Sequence, residues 1–193
     1  ENTPCYPYNK KMHGENIREV LKQSHTPYQW TVNSCLRYST ELTKQLGAEK
    51  FQEYVQKFEY GNQDVSGDKN QNNGLMTAWV GSSLEISPEE LAIFSEKISK
   101  KQLPVSDEAY TLTKKIFQTN EEMPKGWTLY GKTGACSQLS EDRTQRLDLK
   151  RGGFTGWIEK GDRVITFTRY IVDEEVKEEY PSPRAKVQAI AMI

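Results

Sequence analysis

The sequence lacks the features that would tie it to a membrane or to nucleic acid. No stretch approaches the roughly 18 consecutive apolar residues of a membrane-spanning helix. Lys and Arg (26) nearly balance Asp and Glu (27), which leaves a formal net charge of -1 and no basic field. We therefore expect no membrane segment in this chain and no nucleic-acid partner. The first residues also lack a signal-peptide pattern, which is compatible with a cytosolic protein, a mature exported protein or a piece of either.

Cysteine and histidine are scarce as well. The three cysteines, Cys5, Cys35 and Cys136, fit none of the usual spacings for zinc or redox sites, and there are only two histidines. We expect no metal site. An odd number of thiols leaves at least one unpaired, and a disulfide scaffold is not expected at this length. Cys35 falls inside a predicted helix, where it reads as a small buried apolar residue, and His25 reads as polar surface.

The remaining pattern predicts an α+β protein. With 193 residues and 22.2 kDa, we expect a single domain over 1–193, mainly helical to about residue 118 and then a sheet with a terminal helix. A short Lys-Gly-Asp connection predicts an antiparallel hairpin, and the Asn- and Gly-rich stretch 63–74 predicts a loop. The predicted helices cover 26–46, 48–58, 87–101, 107–117 and 183–193, and the predicted strands cover 127–133, 154–159 and 164–171.

Four short motifs follow one another along the chain. Lys132-Thr133-Gly134 ends a predicted strand, and the aromatic- and glycine-rich stretch 152–157 follows it. The other three motifs are Ser34-Cys35-Leu36, Tyr60-Gly61-Asn62 and Arg184. Taken singly, these three have ordinary explanations as a helix serine, a helix end with a turn, and a surface charge. The order and separation of all four motifs make coincidence a poor explanation.

Together the motifs resemble the class D (oxacillinase-type) serine β-lactamases over roughly residues 28–184, including the stretches 60–66, 72–79 and 83–88. The resemblance implies the penicillin-recognising serine β-lactamase/transpeptidase-like fold. It also implies hydrolysis of β-lactams through a serine acyl-enzyme, with a carbamylated lysine as general base. The expected ligand is a small β-lactam, the expected cofactor is nothing beyond carbon dioxide held as the lysine carbamate, and the expected location is the periplasm or outside the cell.

Residue type suggests roles for the Lys-Thr-Gly motif. The Lys132 ammonium can hold the carboxylate common to β-lactams and help to move a proton, and the Thr133 hydroxyl can donate to the same carboxylate. Gly134 leaves room for substrate beside the strand. The resemblance implies that the N–H of Ala135 is one arm of the oxyanion hole, a donor worth roughly 3–4 kcal/mol.

The resemblance supplies the remaining roles. Ser34 would pass a proton to the leaving ring nitrogen, and Arg184 would make a forked contact with the substrate carboxylate. Trp79 would steady the carbamylated lysine through its indole N–H, and Leu36, where the family usually has valine, would lie over the carbamate. Tyr60 and Asn62 would shape the floor of the cleft.

The nucleophile motif of the family, Ser-x-x-Lys, has no convincing counterpart. The one formal match, 66–69, lies in the Asn- and Gly-rich loop, where a lysine would be solvated and a poor base. We interpret the chain as part of a longer protein, incomplete at its N-terminus, in preference to a truncated natural relative. A β-lactam-sensing receptor domain and a catalytically dead penicillin-binding homologue stay open as alternatives. A three-stranded sheet would leave an unpaired edge and an uncovered apolar face, so we expect the isolated segment to be insoluble or to bind a missing segment.

Overall fold

The computed structural model describes residues 18–124, 126–142 and 145–193 and confirms the α+β class. In this part of the chain a helical half precedes a three-stranded antiparallel sheet and a last helix. The elements are a 3₁₀ helix Glu19–Lys22, α1 Pro27–Asn33, α2 Leu36–Leu46, α3 Ala48–Lys57, α4 Gly74–Thr77, α5 Pro88–Ser99, α6 Asp107–Phe117, β1 Thr128–Leu139, β2 Arg146–Lys160, β3 Arg163–Val172 and α7 Pro181–Met192.

Two helices begin at capping boxes, and both starts agree with the predicted helix ranges 26–46 and 87–101. The Thr26 hydroxyl accepts from the backbone N–H of Gln29, whose side chain accepts from the N–H of Thr26 in return. Ser87 and Glu90 form the same reciprocal pair at the start of α5, and proline follows each cap. Each box satisfies two N–H groups that would otherwise lack partners, which stabilises a helix by about 1 kcal/mol.

The predicted single helix over 26–46 is wrong, because the helix is interrupted at Ser34. This residue has φ 53° and ψ 51°, a left-handed conformation that ends α1, and α2 starts again at Leu36. Packing across the break explains it: the rings of Trp30 and Tyr38 stack with centroids 4.9 Å apart over the buried Cys35. Cys35 is also disulfide-bonded, so its interpretation as a plain mid-helix residue is wrong as well.

The strands run further than predicted. The sheet order is β1-β2-β3, and most of the stretch 135–153, which lies between two predicted strands, extends the β1–β2 hairpin. Its glycines weaken the strand signal in the sequence, yet the pairing needs them. A Cβ at Gly152 would lie 2.5 Å from the carbonyl oxygen of Gly134, so the two backbones approach too closely for any side chain there.

Helices cover both faces of the sheet, so the expected uncovered apolar face is wrong. On one face Ala185 and Ala189 of α7 pack against Leu129, Phe154 and Ile158. On the other, α5 and α6 pack against the strands. There the Trp157 ring stacks on Tyr130, with 5.0 Å between centroids, and Phe117 meets it edge-on. Within the described ranges no strand pairs with the outer edge of β3.

Candidate active site at the edge of strand β1

The break between α1 and α2 brings Ser34 against the first residue of the Lys-Thr-Gly motif. The Lys132 Nζ donates to Ser34 Oγ at 2.6 Å, although 98 residues separate the two in sequence. The same ammonium donates to the carbonyl oxygen of Thr133 at 2.7 Å and lies 3.3 Å from its hydroxyl. Three of the predicted site residues therefore share one cluster.

The surroundings of Lys132 weaken its hold on a proton. Burial is the largest cause, and the cations Arg18 and Lys186 add repulsion, which together lower the pKa of Lys132 to about 8. Arg18 is held close to Ser34 because its guanidinium donates to the carbonyl oxygen of Asn33. Lys132 can therefore both bind an anion and exchange a proton near neutral pH.

The outer edge of β1 presents backbone donors. The Leu129 carbonyl accepts from the N–H of Thr119 on the side away from β2. Backbone groups alternate along a strand, and the register with β2 stays regular as far as Ser137. The N–H groups of Gly131, Thr133 and Ala135 consequently also point away from β2.

Space is open at the same place. Gly134 is exposed, and a Cβ built on it would meet no protein atom within 4 Å. The outward N–H of Ala135 lies directly after it in the strand. A ligand carbonyl placed along this edge could accept a hydrogen bond from that N–H without meeting a side chain from Gly134.

The Tyr-Gly-Asn motif holds a turn together. Asn62 accepts from the N–H groups of Asp64 and Glu85 and donates to the carbonyl of Ser83 at 2.8 Å. The Tyr60 ring packs edge-on against Phe94, and burial raises the pKa of its hydroxyl. In the described contacts neither Tyr60 nor Asn62 touches the Ser34–Lys132 cluster.

Trp79 and Leu36 occupy two different surroundings. Trp79 packs edge-on against Phe51 of α3, with 5.8 Å between the ring centroids. Leu36 is the first residue of α2 and is 53% exposed. Leu36 thus lies two residues beyond Ser34, beside the cluster, whereas the described contacts of Trp79 do not reach it.

Arg184 enters the last helix and is held by an acid that sequence reasoning missed. Its Nη2 donates to both carboxylate oxygens of Asp173, at 2.6 and 2.7 Å. Asp173 is only 4% exposed. In the sequence it heads a run of three acids after a predicted strand, so it looks like an ordinary loop residue; only the fold shows its burial.

His25 is buried, and its interpretation as polar surface is wrong. It is 1% exposed, its Nδ1 lies 2.8 Å from the carbonyl oxygen of Gln23, and its Nε2 lies 3.1 Å from the side-chain amide of Asn33. The ring therefore bridges the entry of α1 to the residue before Ser34. The capping Thr26 next to it was the only signal in the sequence that this position is structured.

The formal Ser-x-x-Lys match lies away from any buried helix start. The N–H of Ser66 donates to the Asp64 carboxylate, and Lys69 is exposed in the loop. Among the residues that the structure describes, no three His, Cys, Asp or Glu side chains converge as metal ligands. No helix in the same ranges is long and apolar enough to span a bilayer.

Comparison with known proteins gives consistent matches. The family model described as penicillin binding protein transpeptidase domain matches residues 1–191. The chain is 40% identical over 151 residues to β-lactamase OXA-9 of Klebsiella pneumoniae, which covers 77% of this chain and 54% of that protein. It is 41% identical over 140 residues to β-lactamase OXA-1 of Escherichia coli, covering 72% and 48%.

Solved structures agree. The class D β-lactamase OXA-427 superimposes with a TM-score of 0.88 at 34% identity, over 99% of this chain and 77% of that one. The C-terminal domain of the Bacillus licheniformis BlaR penicillin-receptor gives 0.75 at 21% identity, over 96% and 67%, which is a likeness of fold alone. The chain spans about half the length of the two β-lactamases compared by sequence.

Proposed function

The chain belongs to the penicillin-binding protein transpeptidase-domain family and, within it, to the class D β-lactamases, and on this premise we propose that the whole protein hydrolyses β-lactam antibiotics. The observation that carries the proposal is the Lys132–Ser34 contact at the outer edge of β1. An ammonium, two hydroxyls and an outward backbone N–H converge there on open space. Such groups can bind the carboxylate of an anionic cyclic amide and stabilise the negative charge that develops on its carbonyl oxygen during hydrolysis.

The proposed reaction uses these groups in sequence. Lys132, Thr133 and Arg184 bind the substrate carboxylate, and the N–H of Ala135 receives the carbonyl oxygen as negative charge develops on it. A serine oxygen bonds to the carbonyl carbon, the ring C–N bond breaks, and Ser34 passes a proton to the departing nitrogen. Water then cleaves the resulting ester, which releases the ring-opened product.

We further propose that the attacking serine and its lysine base lie outside these 193 residues. Two findings support this: Ser66 and Lys69 of the formal match are exposed in a loop, and the chain spans about half of the relatives' length. A carbamate on that lysine would supply the base that activates serine and water. Leu36, exposed beside Ser34, is suited to shield such a group, and Trp79 is the proposed indole donor.

An exported location is part of the proposal. The disulfide at Cys35 supports it, because disulfides persist in oxidising compartments such as the periplasm and are rare in the cytosol. The proposed substrates, which act on cell-wall enzymes, are met there as well.

The test is the intact mass of the full native protein before and after a brief incubation with a penicillin. We expect a transient adduct of one drug molecule, ring-opened product in solution, and turnover that rises with added bicarbonate. Peptide mapping of the trapped adduct identifies the nucleophile. A long-lived adduct without product would support a sensor, which the likeness to the BlaR receptor domain makes the second candidate. Absence of any adduct would leave a binding homologue and refute hydrolysis.

A further inference from the structure

A buried ion pair, Asp173–Arg184, lies at the start of α7, the helix that also carries Lys186, one of the two cations that act on Lys132. The Asp173 side chain is 3% exposed and that of Arg184 is 21% exposed. One nitrogen, Nη2, makes both bonds to the carboxylate, and Nε lies 3.4 Å from the Tyr180 carbonyl oxygen. Nη2 and Nε thus face the protein, which fixes the direction in which Nη1 points.

Asp173 is itself fixed by the sheet. Its backbone N–H donates to the carbonyl of Lys150 at 2.9 Å, and its carbonyl accepts from Gln138 Nε2 at 2.6 Å. Gln138 also donates to the Lys150 carbonyl at 3.1 Å. The backbone of Asp173 is therefore anchored to the β1–β2 hairpin, whose first strand also carries Lys132 and Ala135.

The acidic surroundings of Arg184 make the orientation of its side chain important for ligand binding. Arg184 lines an open cavity of about 610 Å³ together with Asp173, Glu174 and Glu175. A long guanidinium side chain without a partner would sample many rotamers and would be drawn towards the exposed acids. The buried carboxylate holds it in one arrangement, so that less ordering entropy is lost when a ligand carboxylate binds.

We propose that Asp173 is a positioning residue that aims Arg184 at the carboxylate of the β-lactam and thereby sets the preference for anionic substrates. The inference rests on the proposed function. Asp173 acts through Arg184 and touches no substrate itself. Removing its charge should therefore weaken binding of carboxylate-bearing substrates and leave substrates without that charge nearly unaffected.

The first experiment compares the full protein with its Asp173→Asn variant on a penicillin and on the methyl ester of the same penicillin. We expect KM for the acid to rise roughly 10-fold, with kcat little changed and the ester nearly unaffected, as for the loss of one charge-assisted contact. In an Arg184→Ala background Asp173→Asn should add nothing, and Asp173→Glu should recover part of the loss. Equal losses on acid and ester, or additive effects in the double variant, would overturn the proposal.

A second measurement does not depend on turnover. Phenylglyoxal modifies accessible arginines, and peptide mass spectrometry gives the rate at each residue. Arg184 should react several-fold faster in Asp173→Asn, whereas the exposed Arg169 should not change. Glu175→Gln is the matched control, because Glu175 lines the same cavity but is paired with Lys177. An unchanged rate at Arg184 would refute the positioning role even if the protein hydrolyses no β-lactam.

Discussion

Lys132 shows how a single side chain acquires its chemistry from its neighbours. The motif in the sequence specifies a lysine on a strand. The pKa of about 8, however, comes from burial and from two cations, Arg18 and Lys186, which lie 114 residues before Lys132 and 54 residues after it. Its pKa is lowered from the usual value near 10.5, so the ammonium loses its proton just above neutral pH. Loss of that charge removes the attraction for an anionic substrate.

This gives the first prediction. For the full protein, kcat/KM for a penicillin should fall as pH rises through about 8, because neutral Lys132 no longer attracts the carboxylate. Lys132→Arg keeps its charge throughout that range, so its profile should be flat between pH 7 and pH 9 at a lower level. Steady-state kinetics at constant ionic strength measure both profiles. An alkaline limb that is unchanged in Lys132→Arg would assign it to another group.

Gly134 provides a second prediction at the same scale. Since a Cβ there meets no protein atom, Gly134→Ala should alter the unfolding free energy by no more than about 0.5 kcal/mol while lowering kcat/KM at least 10-fold through contact with substrate. Gly156→Ala is the matched control. Its Cβ would lie 2.0 Å from the Tyr130 carbonyl oxygen, so it should lower the melting temperature clearly. Wild-type activity in a stable Gly134→Ala protein would show that substrate does not lie along β1.

At the scale of elements, the break between α1 and α2 sets the position of the Ser34 hydroxyl. A left-handed conformation costs a residue with a side chain roughly 1 kcal/mol, and glycine avoids that cost. Ser34→Gly should therefore keep or slightly raise stability, whereas Ser34→Ala should not gain; both should lose turnover alike, because both lack the hydroxyl bound to Lys132. Thermal melts and acylation rates separate the two effects. Full activity in either variant would exclude the proton-transfer role.

The elements also show what a sequence can and cannot predict. The predicted helix starts at Thr26 and Ser87 are correct, because a capping box involves only neighbours three residues apart. The break at Ser34 could not be predicted, since it depends on a ring stack between two helices and on a disulfide. The predicted strands leave out the Gly152 region, because close backbone approach across strands has no signal in local propensity. Interactions between close neighbours in the sequence can be predicted from it, whereas the Asp173–Arg184 pair depends on the tertiary fold.

At the scale of the whole molecule, the site lies where the two halves meet. In the proposed site, Ser34 comes from the helical half, Lys132 and Ala135 come from the first strand, and Arg184 would come from the last helix. The motifs predict the members of the site, and the described contacts bring Ser34, Lys132 and Thr133 together, which requires the sheet to pack against the helical half. A defect in that packing should disrupt the contact between Ser34 and Lys132, which joins the two halves.

The outer edge of β3 lies at the other side of the sheet from the β1 edge that carries the proposed site. Ile165 on that strand is 46% exposed, and within the described ranges no strand pairs beyond it. An unpaired apolar edge favours edge-to-edge association, and an edge lysine opposes it. The 193-residue chain produced alone should therefore scatter light on concentration, and Ile165→Lys should reduce scattering at a stability cost of at most about 1 kcal/mol. Thr168→Lys is the destabilising control, because the Thr168 hydroxyl bonds to the Thr155 hydroxyl at 2.8 Å in the interior of the sheet. A soluble wild-type chain with a cooperative melt would show that this edge needs no further strand to be stable.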